Sequence, residues 1–96
     1  MGSGASMRIG QLIADEDREE HIASHDVTVD EAREVVFGNH FARRVREGRY
    51  RLIGQTMSGR YLTVFVASRG SGIFGLVTAR DATDEERRAY RLHRGG

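Results

Sequence analysis

Tyr61-Leu62-Thr63-Val64-Phe65-Val66-Ala67-Ser68 carries two apolar sets along one extended segment. Successive side chains of a strand point to opposite faces, so Leu62, Val64 and Val66 share one side while Tyr61, Thr63 and Phe65 share the other. A strand apolar on both sides belongs in the middle of a sheet, covered above and below. Outward from it run three more segments of β character, 41–46, 49–57 and 73–80. They are separated by the turn signals Glu47-Gly48, Ser58-Gly59 and Arg69-Gly70-Ser71-Gly72. Links this short join antiparallel neighbours, so the segments form a meander. Arg43, Arg44, Arg46, Arg49 and Arg51 expose charge along the first two, which suits an edge or a functional face.

The meander is flanked by helices. After the last strand, Thr83 and Glu86 form a capping box: the threonine hydroxyl accepts from an early helix amide and the glutamate reaches back to the cap. Arg80 stands just before it, where a strand leaves the sheet and side chains are held by the scaffold yet open to solvent. Upstream, Thr28 and Glu31 repeat the box. Ala32, Val35 and Val36 then give a helix that ends in a glycine C-cap at Gly38. Residues 15–25 read as a charged helix with Ile22 and Ala23 as its buried contacts, and 7–13 as a first strand built on Ile9, Leu12 and Ile13. The expected order is β-α-α-β-β-β-β-α. This is an α+β domain with two N-terminal helices and a C-terminal helix packed on one side of a twisted, mainly antiparallel sheet.

Ninety-six residues support one domain. Residues 1–6 are small and polar and precede a second methionine, so they read as a leader, leaving 7–96 as the domain. There is no cysteine, which excludes disulfides and thiolate metal sites and fits a reducing cytoplasm. No apolar run approaches the roughly 20 residues of a membrane helix. All fifteen basic residues are arginine, and they are unevenly placed. Residues 7–38 hold three arginines against nine acids, a net of −6; residues 39–96 hold twelve against five, a net of +7. The basic half suits phosphate or an acidic partner, and the simpler alternative is that the halves neutralise each other in the fold.

Several short motifs occur in an order that resembles the BrnT family of toxins from bacterial type II toxin–antitoxin systems, relatives in fold of RelE-type ribonucleases. They are Ser24-His25-Asp26-Val27, Glu31-Ala32, Val36-Phe37-Gly38, Arg49-Tyr50-Arg51-Leu52-Ile53-Gly54, Gly59-Arg60, Arg69-Gly70, Thr78-Ala79-Arg80-Asp81-Ala82, Glu86-Arg87 and Tyr90. The resemblance runs from residue 13 to residue 90. It implies a RelE-like fold, a toxin that cleaves RNA without a metal or other cofactor, and a cognate antitoxin as partner. The expected assembly is a homodimer or a toxin–antitoxin heterotetramer. The sequence departs from the family pattern at Ile13-Ala14, Asp17 and His21, where tryptophan-aspartate, lysine and asparagine are usual, and at Ser24 and Asp26, where lysine and glycine are usual. These departures motivate the alternative of a non-catalytic relative that binds nucleic acid or antitoxin.

Metal-independent RNA cleavage needs a group to deprotonate the 2′-hydroxyl, cations to stabilise the phosphorane, and an acid for the leaving oxygen. His25 is the candidate acid–base group, since histidine titrates near neutral pH and this one matches the family motif. Arg60 and Arg80 are the candidate catalytic cations, because guanidinium forks onto phosphate bidentately. Arg49, Arg51 and Arg69 are the candidate RNA contacts, with Tyr50 and Phe41 interleaved for stacking. His40 and Tyr61 stand second. Each has a simpler role: Arg80 can pair with Glu86 or Asp84, and His25 can offset the dipole at a helix end. His21 and His25 lie four apart, a zinc-ligand spacing without an evident third ligand.

Overall fold

Five strands pair in the order β1-β5-β4-β3-β2: β1 (Gln11–Ile13), β2 (His40–Arg46), β3 (Arg49–Gln55), β4 (Tyr61–Ser68) and β5 (Ile73–Asp81). Among the described residues three helices accompany them, α1 (Glu16–Ala23), α2 (Val29–Phe37) and α3 (Asp84–Gly95). This computed structural model describes residues 7–95, with side chains through residue 93. The leader read at residues 1–6 lies outside the described residues. β2 to β5 form the antiparallel meander, and β1 adds in parallel to β5 by pairing Gln11 to Ile13 with Ile73 to Gly75.

β4 is central, as its alternation requires. Leu62, Val64 and Val66 are fully buried against Leu52, Ile22, Val27, Ala32, Val35 and Val36, so α1 and α2 cover that face. Thr63 points the other way and donates to Glu86 of α3 at 2.8 Å. The helices therefore do not share one side of the sheet, as the element order suggested; α3 lies on the face opposite α2. A strand apolar on both faces needs a cover on each.

The helix starts are as the sequence indicates. Asp15 caps α1 by accepting from the Arg18 amide at 2.9 Å. Thr28 and Glu31 complete a reciprocal capping box at α2. Gly38 ends α2 in extended rather than left-handed backbone (φ −97°), and a Cβ there would stand 2.7 Å from the Glu34 carbonyl oxygen. Glycine is required there by close approach.

The pairing of β4 with β5 shifts between Phe65 and Val66, leaving one extra residue, Val77, in β5. Strict alternation would put Thr78 and Arg80 on the same face as Phe74 and Leu76, toward α1 and α2. The bulge reverses that phase, because one inserted residue flips every later side chain. Arg80 then pairs across from Thr63 and emerges on the α3 side.

Ile22 is the buried side chain of α1. Ile22→Ala is expected to lower stability by about 2–5 kcal/mol, the usual cost of truncating a fully buried isoleucine. Urea unfolding measures the loss, and amide exchange should rise first within Glu16–Ala23.

Candidate nucleic-acid interface

The α3 side of the sheet is built in three rows of cross-strand neighbours. Phe41, Ile53, Thr63 and Arg80 form the row beneath α3; Arg43, Arg51, Phe65 and Thr78 form the next; Arg46, Arg49, Ala67 and Gly75 form the last. α3 covers only the first row, through Glu86, the buried ring of Tyr90 and a contact between His93 and Phe41. The other two rows are left open. Both carry arginine on β2 and β3, and their middle holds the half-buried ring of Phe65.

Glu86 organises the covered end. Its carboxylate accepts from both terminal nitrogens of Arg80 at 2.8 and 3.0 Å, from the Thr63 hydroxyl at 2.8 Å, from the Thr83 amide at 2.9 Å and from Arg51 at 3.4 Å. The capping box therefore doubles as an anchor for two arginines. Burial pushes the Glu86 pKa up, and the Arg80, Thr83 and Thr63 hydrogen bonds with the Arg80 charge overcome it, holding the carboxyl at about 2 instead of 4.5. Hydrogen bonding to Glu86 in turn raises the Arg80 pKa above its ordinary value. The Arg80 guanidinium lies 5.3 Å above the centre of the Phe65 ring, a cation–π contact. Arg80 is thus held in place by its structural partner, with part of its side chain open to solvent.

Arg60 is on the opposite face. Its Nε donates to Asp81 at 3.0 Å, and one terminal nitrogen donates to the Asp26 carbonyl at 2.6 Å and to both Glu31 oxygens at 3.2 and 3.3 Å. Arg60 and Arg80 do not converge on one point. What Arg60 does hold is the turn between α1 and α2, next to His25. His25 is exposed just past the C-cap of α1, its ring meeting that of His21 edge to face at 5.3 Å. The Nε2 of His21 lies 3.0 Å from the Thr78 hydroxyl, at the β5 end of the open face.

Sequence reasoning left His21 without an acid–base role and missed Arg18. Beyond the three residues paired with β1, the β5 edge is free, and α1 lies along it. Arg18 donates to the Val77 carbonyl at 3.2 Å there. Asp15 and Arg18 three apart at a helix start were the only available signal, since nothing local shows which strand edge a helix covers. The second-rank candidates are structural. His40 is buried, accepts from the Met7 amide at 3.0 Å and has its pKa lowered by desolvation. Tyr61 packs edge to face on Tyr90 beneath Arg87 and Arg91.

Two cavities lie along the open rows. One of about 270 Å³ is largely apolar and bounded by Val45, Arg46, Arg49, Phe65, Val77 and Thr78. The other, of about 220 Å³, brings Arg18, Arg49 and Arg69 together over Ala67 and Gly75. The two halves of the chain do not neutralise each other. Among the described residues, Arg60 with Glu31 is the one ion pair joining an acid of residues 7–38 to an arginine beyond them. The acids of α1 stay exposed, and so do Arg43, Arg46 and Arg49 of the open face, while Arg51 is half-buried beside Glu86. The arrangement is dipolar and able to attract a polyanion to one side.

The same architecture occurs in a known toxin. The crystal structure of the Brucella abortus ribonuclease toxin BrnT matches this chain with a TM-score of 0.64 at 19% identity, covering 97% of BrnT and 77% of this chain. The chain has the BrnT fold. No family model matches the sequence, and no curated protein matches it. The fold expected from the sequence motifs is therefore met in three dimensions. Among the described residues, no helix is long and apolar enough to cross a membrane.

The Glu86 cluster makes stability depend on acid pH. Its folded pKa lies below the ordinary 4.5, so its contribution is complete above 4.5 and is lost as pH falls toward about 2. Urea midpoints of the unmutated chain are expected to drop across that window. Glu86→Gln should be less stable at neutral pH and show a flatter acid limb.

Proposed function

We propose that this chain is the toxin of a bacterial type II toxin–antitoxin pair, a metal-independent ribonuclease that acts in the cytoplasm and is silenced by a cognate antitoxin. The observation that carries this reading is the BrnT fold with one sheet face left open, rimmed by arginines and floored by an aromatic ring. BrnT itself is a ribonuclease toxin. A single RNA strand suits such a face: guanidinium groups track phosphates, and a ring offers a base a stacking partner.

In the proposed reaction, a histidine at the β5 edge takes the proton of the 2′-hydroxyl, whose oxygen attacks the adjacent phosphorus. Arg80 and Arg51 neutralise the charge that gathers on the non-bridging oxygens. The 5′-oxygen leaves by taking a proton from solvent water, giving a 2′,3′-cyclic phosphate and a 5′-hydroxyl, and the histidinium returns its proton to solvent. His25 is the assigned base, with His21 beside it bridging toward Thr78. Arg49 and Arg69 bind the strand away from the scissile bond. Arg60 is a positioning residue that holds the turn bearing His25 through the Asp26 carbonyl.

Single-stranded RNA is expected to be cleaved with chelator present. His25→Ala should slow cleavage about 10²–10⁴-fold, the range for losing an acid–base group. Arg80→Ala should cost about 10²–10³-fold, as for losing a charge-stabilising donor. Arg60→Gln should shift the histidine limb of the pH–rate profile, which a loss of stability alone leaves in place. An unmutated chain that neither arrests growth nor cleaves RNA refutes the proposal.

One observation favours a second reading, a binding protein without catalysis: both terminal nitrogens of Arg80 are already engaged by Glu86. Its signature is salt-sensitive RNA or antitoxin binding with no cleavage, the salt dependence rising with each phosphate contact.

A further inference from the structure

We propose that Arg18, Arg49 and Arg69 form a pocket for a terminal phosphate monoester of the bound nucleic-acid strand, separate from the scissile phosphate. The inference rests on the open face being a nucleic-acid interface and assigns its far end a specific ligand. Three elements that are distant in sequence deliver these side chains to one cavity of about 220 Å³: the first turn of α1, the start of β3 and the loop after β4. None of the three arginines has an ion-pair partner among the described residues. The Arg18 guanidinium donates to the Val77 carbonyl. Asp15, the acid at the rim, accepts from the Arg18 amide as the cap of α1. Three guanidinium groups around one small space suit a dianion better than a phosphodiester with its single charge.

The floor is shaped for this. Ala67 and Gly75 are neighbours across β4 and β5, and a Cβ on Gly75 would stand 2.8 Å from the Arg69 Nε and 2.9 Å from its Nη2. The missing side chain lets Arg69 fold back flat over the sheet. Arg69 thereby stands at the far end of the open face, lining the cavity over the last row. Ala67 and Thr63 are four residues apart on β4, which sets this pocket about 13 Å from the row of Arg80 at about 3.3 Å per residue. The apolar cavity over Phe65 and Val77 lies between the two, with room for a base.

The test uses short single-stranded DNA, which lacks the 2′-hydroxyl and stays intact whether or not the chain is a ribonuclease. Oligonucleotides with a 5′-phosphate, a 3′-phosphate or neither are compared by fluorescence anisotropy with the folded full chain. One phosphorylated form is expected to bind at least about tenfold tighter than the unphosphorylated one, since charge-assisted hydrogen bonds to the terminal oxygens are among the stronger polar contacts; which end it is identifies the strand's polarity. Arg69→Ala and the exposed Arg49→Gln should abolish the preference. Gly75→Ala should weaken it with all charges intact, by lifting Arg69. Equal binding of all three oligonucleotides overturns the proposal, and so does a preference that survives Arg69→Ala and Arg49→Gln. RNA cleavage with equal DNA binding removes the pocket and leaves the toxin; a terminal-phosphate preference without cleavage does the reverse.

Discussion

A single carboxylate, that of Glu86, ties the C-terminal helix to the sheet. It lies almost wholly out of water, where an unpaired charge costs several kcal/mol, so its partners are obligatory. Each comes from a different element: Thr83 from the helix start, Arg80 from β5, Thr63 from β4 and Arg51 from β3. The anion that terminates the helix therefore sets where α3 sits, how far it covers the sheet and which arginines stay fixed beside the open face. The covered row and the open rows are two results of one interaction.

That interaction depends on the β-bulge at Val77. Without the extra residue, Arg80 would face the apolar core under α2, and Glu86 would lack its main cation. The bulge also lies where β5 outruns its parallel partner β1, at the stretch of edge that α1 covers through Arg18 and His21. One irregularity thus redirects an arginine, and next to it Arg18 and His21 of α1 meet the edge of β5 at the margin of the basic face. The acids and arginines remain on separate parts of the surface, which gives the domain a directional field rather than a neutral exterior.

Much of the architecture was legible in the chain. Two capping boxes, at Thr28 and Thr83, mark real helix starts because a cap is a local contact between residues three apart. The meander was legible from its glycine turns, and Gly48, Gly59, Gly70 and Gly72 indeed adopt left-handed backbone. The BrnT-like order of motifs pointed to the fold that the structural match then displayed. The candidate site was less legible. The simpler role of Arg80, pairing with Glu86, is what the structure contains, and Arg60 and Arg80, joined in one expectation, lie on opposite faces.

By itself, then, the sequence determined the order and kind of the elements and that β4 lies at the centre, because caps, turns and alternation are interactions over a few residues; it placed the ends less closely, reading 7–13 and 49–57 where the strands are Gln11–Ile13 and Arg49–Gln55. Tertiary structure alone decided that α3 covers the face opposite α2, that Arg80 emerges beside it, and that Arg18, Arg49 and Arg69 gather over Gly75. Those outcomes turn on strand register and on which edge a helix covers. A one-residue slip in register exchanges the two faces of a strand, and nothing local in the chain records it.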